Sequence, residues 1–314
     1  MCVRTKGEDD NVRDGGGSTA VQGGWRAFDA KTGSLIDSMR ELLRSKSVER
    51  ADALLIGETH DDPVAHRLEE ELLREAIELP GRKPVLSMES LETDVQLVVD
   101  EYLNGTIRES DFKNGARLPF NYDTDYKPLV EMAKENGVNV LASNAPRRYV
   151  SLARRVGREG LQAAISTEAQ RFLPPLPYAG PSTKYSEKFA RTMAVLVRGG
   201  KPLAPDMPVP DPPEGMLDSQ SLWDASMAYS ICSTVSKEKE NNLAEQPLIV
   251  HIGGVFHVEE GLGIMEHIPN YDDKVQVATV IIKPGNLEKM PDLKGFKEAA
   301  DFLVITDETV PRSY

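Results

Sequence analysis

Six short apolar runs, each ending in small or polar residues, limit what this chain can fold into more than any other feature. They are ALLIG (53–57), PVLSM (84–88), VNVLA (138–142), LIVHIG (248–253), VQVATVII (275–282) and FLVI (302–305). Runs this short and this apolar read as strands covered on both faces. Helical spacing separates several of them, over 64–79, 130–136 and 293–300. Strand alternating with helix predicts an α/β fold, a mostly parallel sheet flanked by helices. Between 146 and 245 no strand pattern occurs. There 148–156, 161–172, 185–197 and 221–235 have helical spacing, divided by LPPLPYAGP and KPLAPDMPVPDPPEG. This predicts a smaller all-helical insertion over the carboxyl ends of the strands, joined by a helical stretch at 93–103. The expected division is an arm at 1–24, an α/β domain from 25–146 and 246–314, and a helical insertion at 147–245. One more helix is expected over 34–45, where Leu35, Ile36, Met39, Leu42 and Leu43 share a face.

Bulk properties exclude several classes. The 314 residues carry a formal net charge of −13 and no block of Lys or Arg, so nucleic acid is not an expected partner. Cys2 and Cys232 are the only cysteines, which excludes a disulfide framework or a Cys-rich metal centre. No apolar run approaches the roughly 20 residues that span a bilayer. The glycines and mixed charges of 1–24 read as a disordered arm without the apolar core of a secretory signal. A soluble intracellular protein, cytoplasmic or plastid, is the resulting expectation.

In a parallel α/β sheet, ligands bind beyond the carboxyl ends of the strands. Here those ends carry Glu58 and His60, then Glu89, then Asn144 to Arg147, then His257. Gly57 and Gly254 each precede a histidine by three residues, where glycine lets the chain turn off a strand and a ligand approach. Imidazole and carboxylate suit a divalent ion, so His60, His257 and Glu89 are the candidate metal ligands. Glu58 or Glu89 would act as general base and Arg147 would stabilise an oxyanion. Asn144 and His66 are candidate ligand contacts. Structural alternatives stand beside each: Glu89 paired with Arg147, Asn144 fixing a turn before Pro146, and His257 packed between Phe256 and Val258. His66 faces either the rim or the solvated side with Glu69 and Glu70. His251 alternates inside an apolar strand and reads as a core residue; His267, without polar company, reads as superficial.

These residues also carry a likeness. GETHDDPVAHRLEEELL (57–73), DYKP (125–128), NAPR (144–147), SQSLWDASMA (219–228) and HIGGVFH (251–257) stand in an order that resembles ChaN-type proteins. That family lies in the haem-binding-uptake/Tiki superfamily, beside erythromycin-esterase-like and TraB-like branches. The resemblance implies a parallel sheet flanked by helices with a smaller helical domain. For bacterial ChaN-type lipoproteins it implies haem held between the subunits of a homodimer. For the Tiki branch it implies a metal-dependent protease whose ligands match His60, His257 and Glu89. His66 matches a recurrent histidine of the ChaN motif. Departures are Glu69, where glutamine is common, Ala65, where a second histidine is common, and the absent export signal.

Three functions follow: a haem- or iron-binding protein, a metal-dependent hydrolase of peptides or esters, and a non-catalytic scaffold. A haem slot could draw on Met193, Leu196, Trp223 and Met227, with Tyr178, Tyr185 and Tyr229 as candidate ligands, none of them assigned as the axial one.

Overall fold

The computed structural model describes residues 24–204, 207–241, 244–291, 293 and 295–314. The arm expected at 1–24 lies, but for Gly24, outside the described residues. Eight strands form one sheet: β1 (Trp25–Asp29), β2 (Leu35–Ile36), β3 (Ala53–Glu58), β4 (Arg82–Glu92), β5 (Asn139–Asn144), β6 (Gln246–Gly254), β7 (Val277–Gly285) and β8 (Phe302–Asp307). Their order is β2-β1-β8-β7-β3-β6-β4-β5. From β8 to β5 every pairing is parallel; β1 and β2 add an antiparallel edge.

Alternation along β3 shows why the run ALLIG is apolar throughout. Leu54 and Ile56 face one helical layer, where Leu68 and Leu72 of the helix Pro63–Ile77 and Val130 of the helix Lys127–Glu135 meet them. Ala53 and Leu55 face the other, packed by Met227 and Ile231 of the helix Met216–Asn241 and Ile264 of the helix Ile264–Tyr271. Both faces of a central strand are thus covered, and each fully buried leucine contributes about 1.5–3 kcal/mol. Between β5 and β6 the described elements are all helical: Arg147–Ala164, Thr167–Gln170, Thr183–Val197 and Met216–Asn241. No helix among the described residues is long and apolar enough to cross a membrane.

Four local expectations fail. The helix expected over 161–172 is interrupted at Ile165 and Ser166, where extended backbone separates the end of Arg147–Ala164 from the short helix Thr167–Gln170. Leu35 and Ile36 are not helical but pair with Phe28 and Ala27, and the helix begins only at Met39, capped by Ser38. Pairing to β1 wins over helical periodicity there. Leu293 and 295–299 form turns rather than a helix, although Ala299 is buried and Leu293 and Phe296 are partly buried against Ile281 of β7 and Leu303 of β8. Gly295 within this segment weakens any helix. His267 is not superficial; it is 3% exposed, with Nε2 3.2 Å from the Ser221 hydroxyl.

Candidate functional site

Register brings the polar strand ends to one level. Gly57 lies opposite Gly253 and Glu58 opposite Gly254, while Met88 lies opposite Ile252. The pairing of β4 with β5 then slips between Met88 and Glu92, an irregularity that includes Glu89. Bulges re-aim side chains beside functional sites, and here the Asn144 amide fills the slip by donating to the Glu89 carbonyl at 3.0 Å. Asn144 also accepts from its neighbour Ala145 N at 2.9 Å, so its side chain holds the turn.

These strand ends open onto a cleft of about 400 Å³. Glu58, His60, Glu89, Asn144 and Arg147 all line it, with Trp223, Met88, Phe120 and Tyr314 supplying apolar wall. Phe120 and Tyr314 meet edge to face at 4.4 Å and are both largely exposed. Arg147 does not pair with Glu89; it is exposed at the mouth, 3.6 Å from Glu92. His257 and His66 lie behind this wall.

His60 stands half in solvent, its Nδ1 held 2.8 Å from Glu58 Oε1. That hydrogen bond, more than any other influence, raises the imidazole's pKa, and burial works against it. Glu58 itself is 2% exposed and also accepts from the Tyr126 hydroxyl. Burial alone would raise its pKa, but hydrogen bonds from His60 and His66 outweigh burial and hold it well below the usual carboxylate range. Glu89 accepts from Gly254 N at 2.6 Å and lies 3.5 Å from His257 Nε2. Burial opposes its ionisation, yet His257 and His60 keep the carboxyl below its ordinary pKa.

Sequence reasoning missed what lies behind His257. Its Nδ1 is 2.6 Å from Asp224 Oδ1, and Tyr185 donates its hydroxyl to the other oxygen of Asp224. Against the effect of burial, Glu89 and Asp224 raise His257 to about 9. A carboxylate on one imidazole nitrogen fixes the ring, so Nε2 is presented toward Glu89. Asp224 sits on the helix Met216–Asn241 within SQSLWDASMA, a stretch visible in the sequence but with no sign of which way the carboxylate points. Tyr185 is engaged with Asp224 and Tyr178 donates to Asp218 O at 2.7 Å, while Met227 is core and Leu196 is exposed. Of the apolar slot expected on the helices, Trp223 is the member that reaches the cleft.

His66 turns inward, and so does Glu69, which the solvated alternative placed outside. Asp62 caps the helix Pro63–Ile77 by accepting from Val64 N and Ala65 N, which sets the rotation of its first turn. Residues three apart share a face, and that face is buried: His66 is 6% and Glu69 0% exposed. His66 Nδ1 lies 3.1 Å from Glu58 Oε2 and 3.2 Å from Glu69 Oε2. Despite burial, these two carboxyls raise the imidazole to about 11. Among the described residues, Glu58, His66 and Glu69 form the group whose donor atoms all lie within 4.8 Å of one another.

His251, fully buried in β6, bonds through Nδ1 to Ser87 at 2.9 Å, as a core residue should. Burial lowers it to about 4. The unfolded chain, with a pKa near 6.5, therefore takes up a proton that the folded chain refuses as pH falls. Stability from this residue is present above about pH 6.5 and is lost toward pH 4, a change of about 2–3 kcal/mol. Urea unfolding of wild type and His251→Gln at pH 7 and 4.5 checks this. The wild type should lose that much more than the variant; parallel losses would show that His251 is not held neutral.

The fold has known counterparts. Residues 45–268 match the family described as haem-binding uptake, Tiki superfamily, ChaN. Among solved structures, a ChaN of Campylobacter jejuni, described as binding haem cofacially, is similar at 18% identity and a TM-score of 0.60, covering 90% of this chain and 97% of that one. An erythromycin esterase in its open conformation is similar at 11% identity and 0.47, covering 91% and 99%. A Bacillus cereus protein is similar at 11% and 0.44, covering 86% and 92%. No curated protein matches significantly. With most of its length matched by that family, and the sheet and helices superposing on a ChaN structure, this chain belongs to the ChaN family of the Tiki superfamily.

Proposed function

We propose that this protein binds haem, or the iron it carries, in the cleft at the carboxyl ends of β3 to β6. The observation that carries this is His60: an exposed imidazole whose Nδ1 is fixed by Glu58, standing in a cleft walled by Trp223, Phe120 and Tyr314. An iron porphyrin needs an apolar slot and an axial imidazole or phenolate, and this donor set fits it. Bound haem supplies an iron that accepts an axial ligand. Glu58 would fix the tautomer of His60 so that Nε2 carries the lone pair, the role outer carboxylates play for ligating histidines. Phe120, Tyr314 and Trp223 would cover the apolar ring, and Arg147, exposed at the mouth with only a loose pairing to Glu92, would meet a carboxylate there.

Titrating the purified, metal-stripped protein with haemin tests this reading through the Soret band. A saturable shift is expected, weakened by about tenfold or more in His60→Ala. Its stoichiometry reads whether one chain or a homodimer holds each ligand. An absent shift, or one indifferent to every rim substitution, sinks the proposal and leaves the non-catalytic scaffold.

A second reading, a metal-dependent hydrolase of peptides or esters, draws support from Glu89. It is an ionised carboxylate beside His257 and within the influence of His60, and these three residues would hold a divalent ion there. With such an ion in place, Glu58 or Glu89 would take a proton from water and Arg147 would face the developing negative charge. Loss of one bound divalent ion on His60→Ala, without any Soret response in wild type, favours this reading over haem.

A further inference from the structure

We propose a second cation site, buried beneath the rim, in which Glu58, His66 and Glu69 hold one divalent transition-metal ion. It stands independently of the haem reading, because none of the residues it adds to Glu58 reaches the cleft.

The tautomer of His66 is the starting point. Its Nε2 lies 3.0 Å from the carbonyl oxygen of His60, which can only accept, so Nε2 carries a hydrogen. Nδ1 then points between two carboxylate oxygens, at 3.1 Å and 3.2 Å. A bare lone pair there cannot face two carboxylates, so the space between them takes a proton, on Nδ1 or on one of the buried carboxyls, or a metal ion.

The remaining oxygens separate the two. Glu69 Oε1 is buried without a hydrogen-bond partner, and buried Glu58 Oε2 has only the poorly aligned approach of His66 Nδ1 at 3.1 Å. An unsatisfied buried acceptor is costly, and more so when it is charged. One proton on Nδ1 satisfies one acceptor well. An ion accepts an imidazole nitrogen and oxygens from both carboxylates at once. Apart from His60, which is bonded to Glu58 Oε1, the pair has no cation to draw on: among the described residues no lysine or arginine forms an ion pair with Glu58 or Glu69, and the next charge, Asp125, is negative and 3.6 Å from Nε2.

The surroundings resemble the outer layer of a metal site. The His66 nitrogen away from the carboxylates donates to a backbone carbonyl, as ligating histidines do. Tyr126 donates to Glu58 and packs edge to face on His66 at 5.0 Å, orienting both. One nitrogen and carboxylate oxygens suit a borderline ion such as Zn²⁺ or Mn²⁺.

The test removes the rim and keeps the buried set. His60→Ala/His257→Ala, stripped of metal and equilibrated with Zn²⁺ by dialysis, should retain one equivalent. Adding Glu69→Gln, which preserves shape, should weaken that binding 100-fold or more. Of the five histidines, only His66, His251 and His267 then remain. Cu²⁺ in the double variant should therefore show electron paramagnetic resonance coupling to a single imidazole nitrogen, which needs no further substitution. No retained ion, retention indifferent to Glu69→Gln, or coupling to two nitrogens would overturn the site and assign the occupant of the His66 position as a proton.

Discussion

Asp224→Ala is expected to lower stability by about 3–5 kcal/mol at pH 7, the range for removing one partner of a buried charge pair. Two groups lose their acceptor at once, His257 Nδ1 and the Tyr185 hydroxyl, and Asp224 is itself fully buried. Urea melts of Asp224→Ala, Tyr185→Phe and the double variant separate the contributions. Residues sharing one network should couple by about 1–3 kcal/mol rather than add.

The pH dependence of the same variant has a definite sign. His257 is held at about 9 in the fold, above its unfolded value near 6.5. Its stabilisation is fully present below pH 6.5 and disappears as pH rises through 9. The wild-type advantage over Asp224→Ala should therefore be largest in mild acid and shrink toward pH 9. A constant gap would mean that Asp224 acts on His257 by shape and not by charge.

Gly254→Ala should separate binding from folding. Gly254 has an ordinary backbone conformation (φ −60°), so an alanine strains nothing locally. Its Cβ would stand 2.9 Å from His60 Nε2 and 3.0 Å from His60 Cε1. His60 is half exposed and can give way by loosening its hydrogen bond to Glu58, so the cost in stability should stay at about 1 kcal/mol. Displacing the one imidazole that stands in the cleft should nevertheless weaken haemin about 10–100-fold. Gly253→Ala is the control. There the Cβ meets Glu89 Oε2 at 2.8 Å, a carboxylate held by Gly254 N, and the fully buried His251 Nε2 at 3.0 Å. It should cost about 1–3 kcal/mol, as overpacking does. If Gly254→Ala binds haemin as well as wild type, His60 is not part of the ligand site.

The contrast between these residues shows what was legible in the sequence. Glu58, His60, Glu89, Asn144 and His257 follow apolar runs directly, and a parallel sheet brings such ends to one edge whatever the helices do. Their convergence could be read without knowing strand order. Asp224, Tyr185 and the inward face of His66 and Glu69 could not. A helix offers every direction around its axis, and only packing fixes which side turns in. Glu69 is the sharpest case: beside Glu70 and Glu71 it reads as part of a solvated face, yet the Asp62 cap rotates it into the core. β1 was hidden for another reason. Five residues with Arg26 and Asp29 near their ends give little apolar signal, and the strand exists because β8 offers it an edge.

The place of β3 in the sheet bears on how the protein is made. Its two neighbours, β6 and β7, are translated only after the whole stretch of helices from Arg147 to Asn241. At about 5–20 residues per second, β3 has left the ribosome with both edges open for roughly 10–40 s before either partner exists. The strand that carries Glu58 is thus an apolar ribbon awaiting its neighbours, the kind of segment that chaperones shield on nascent chains.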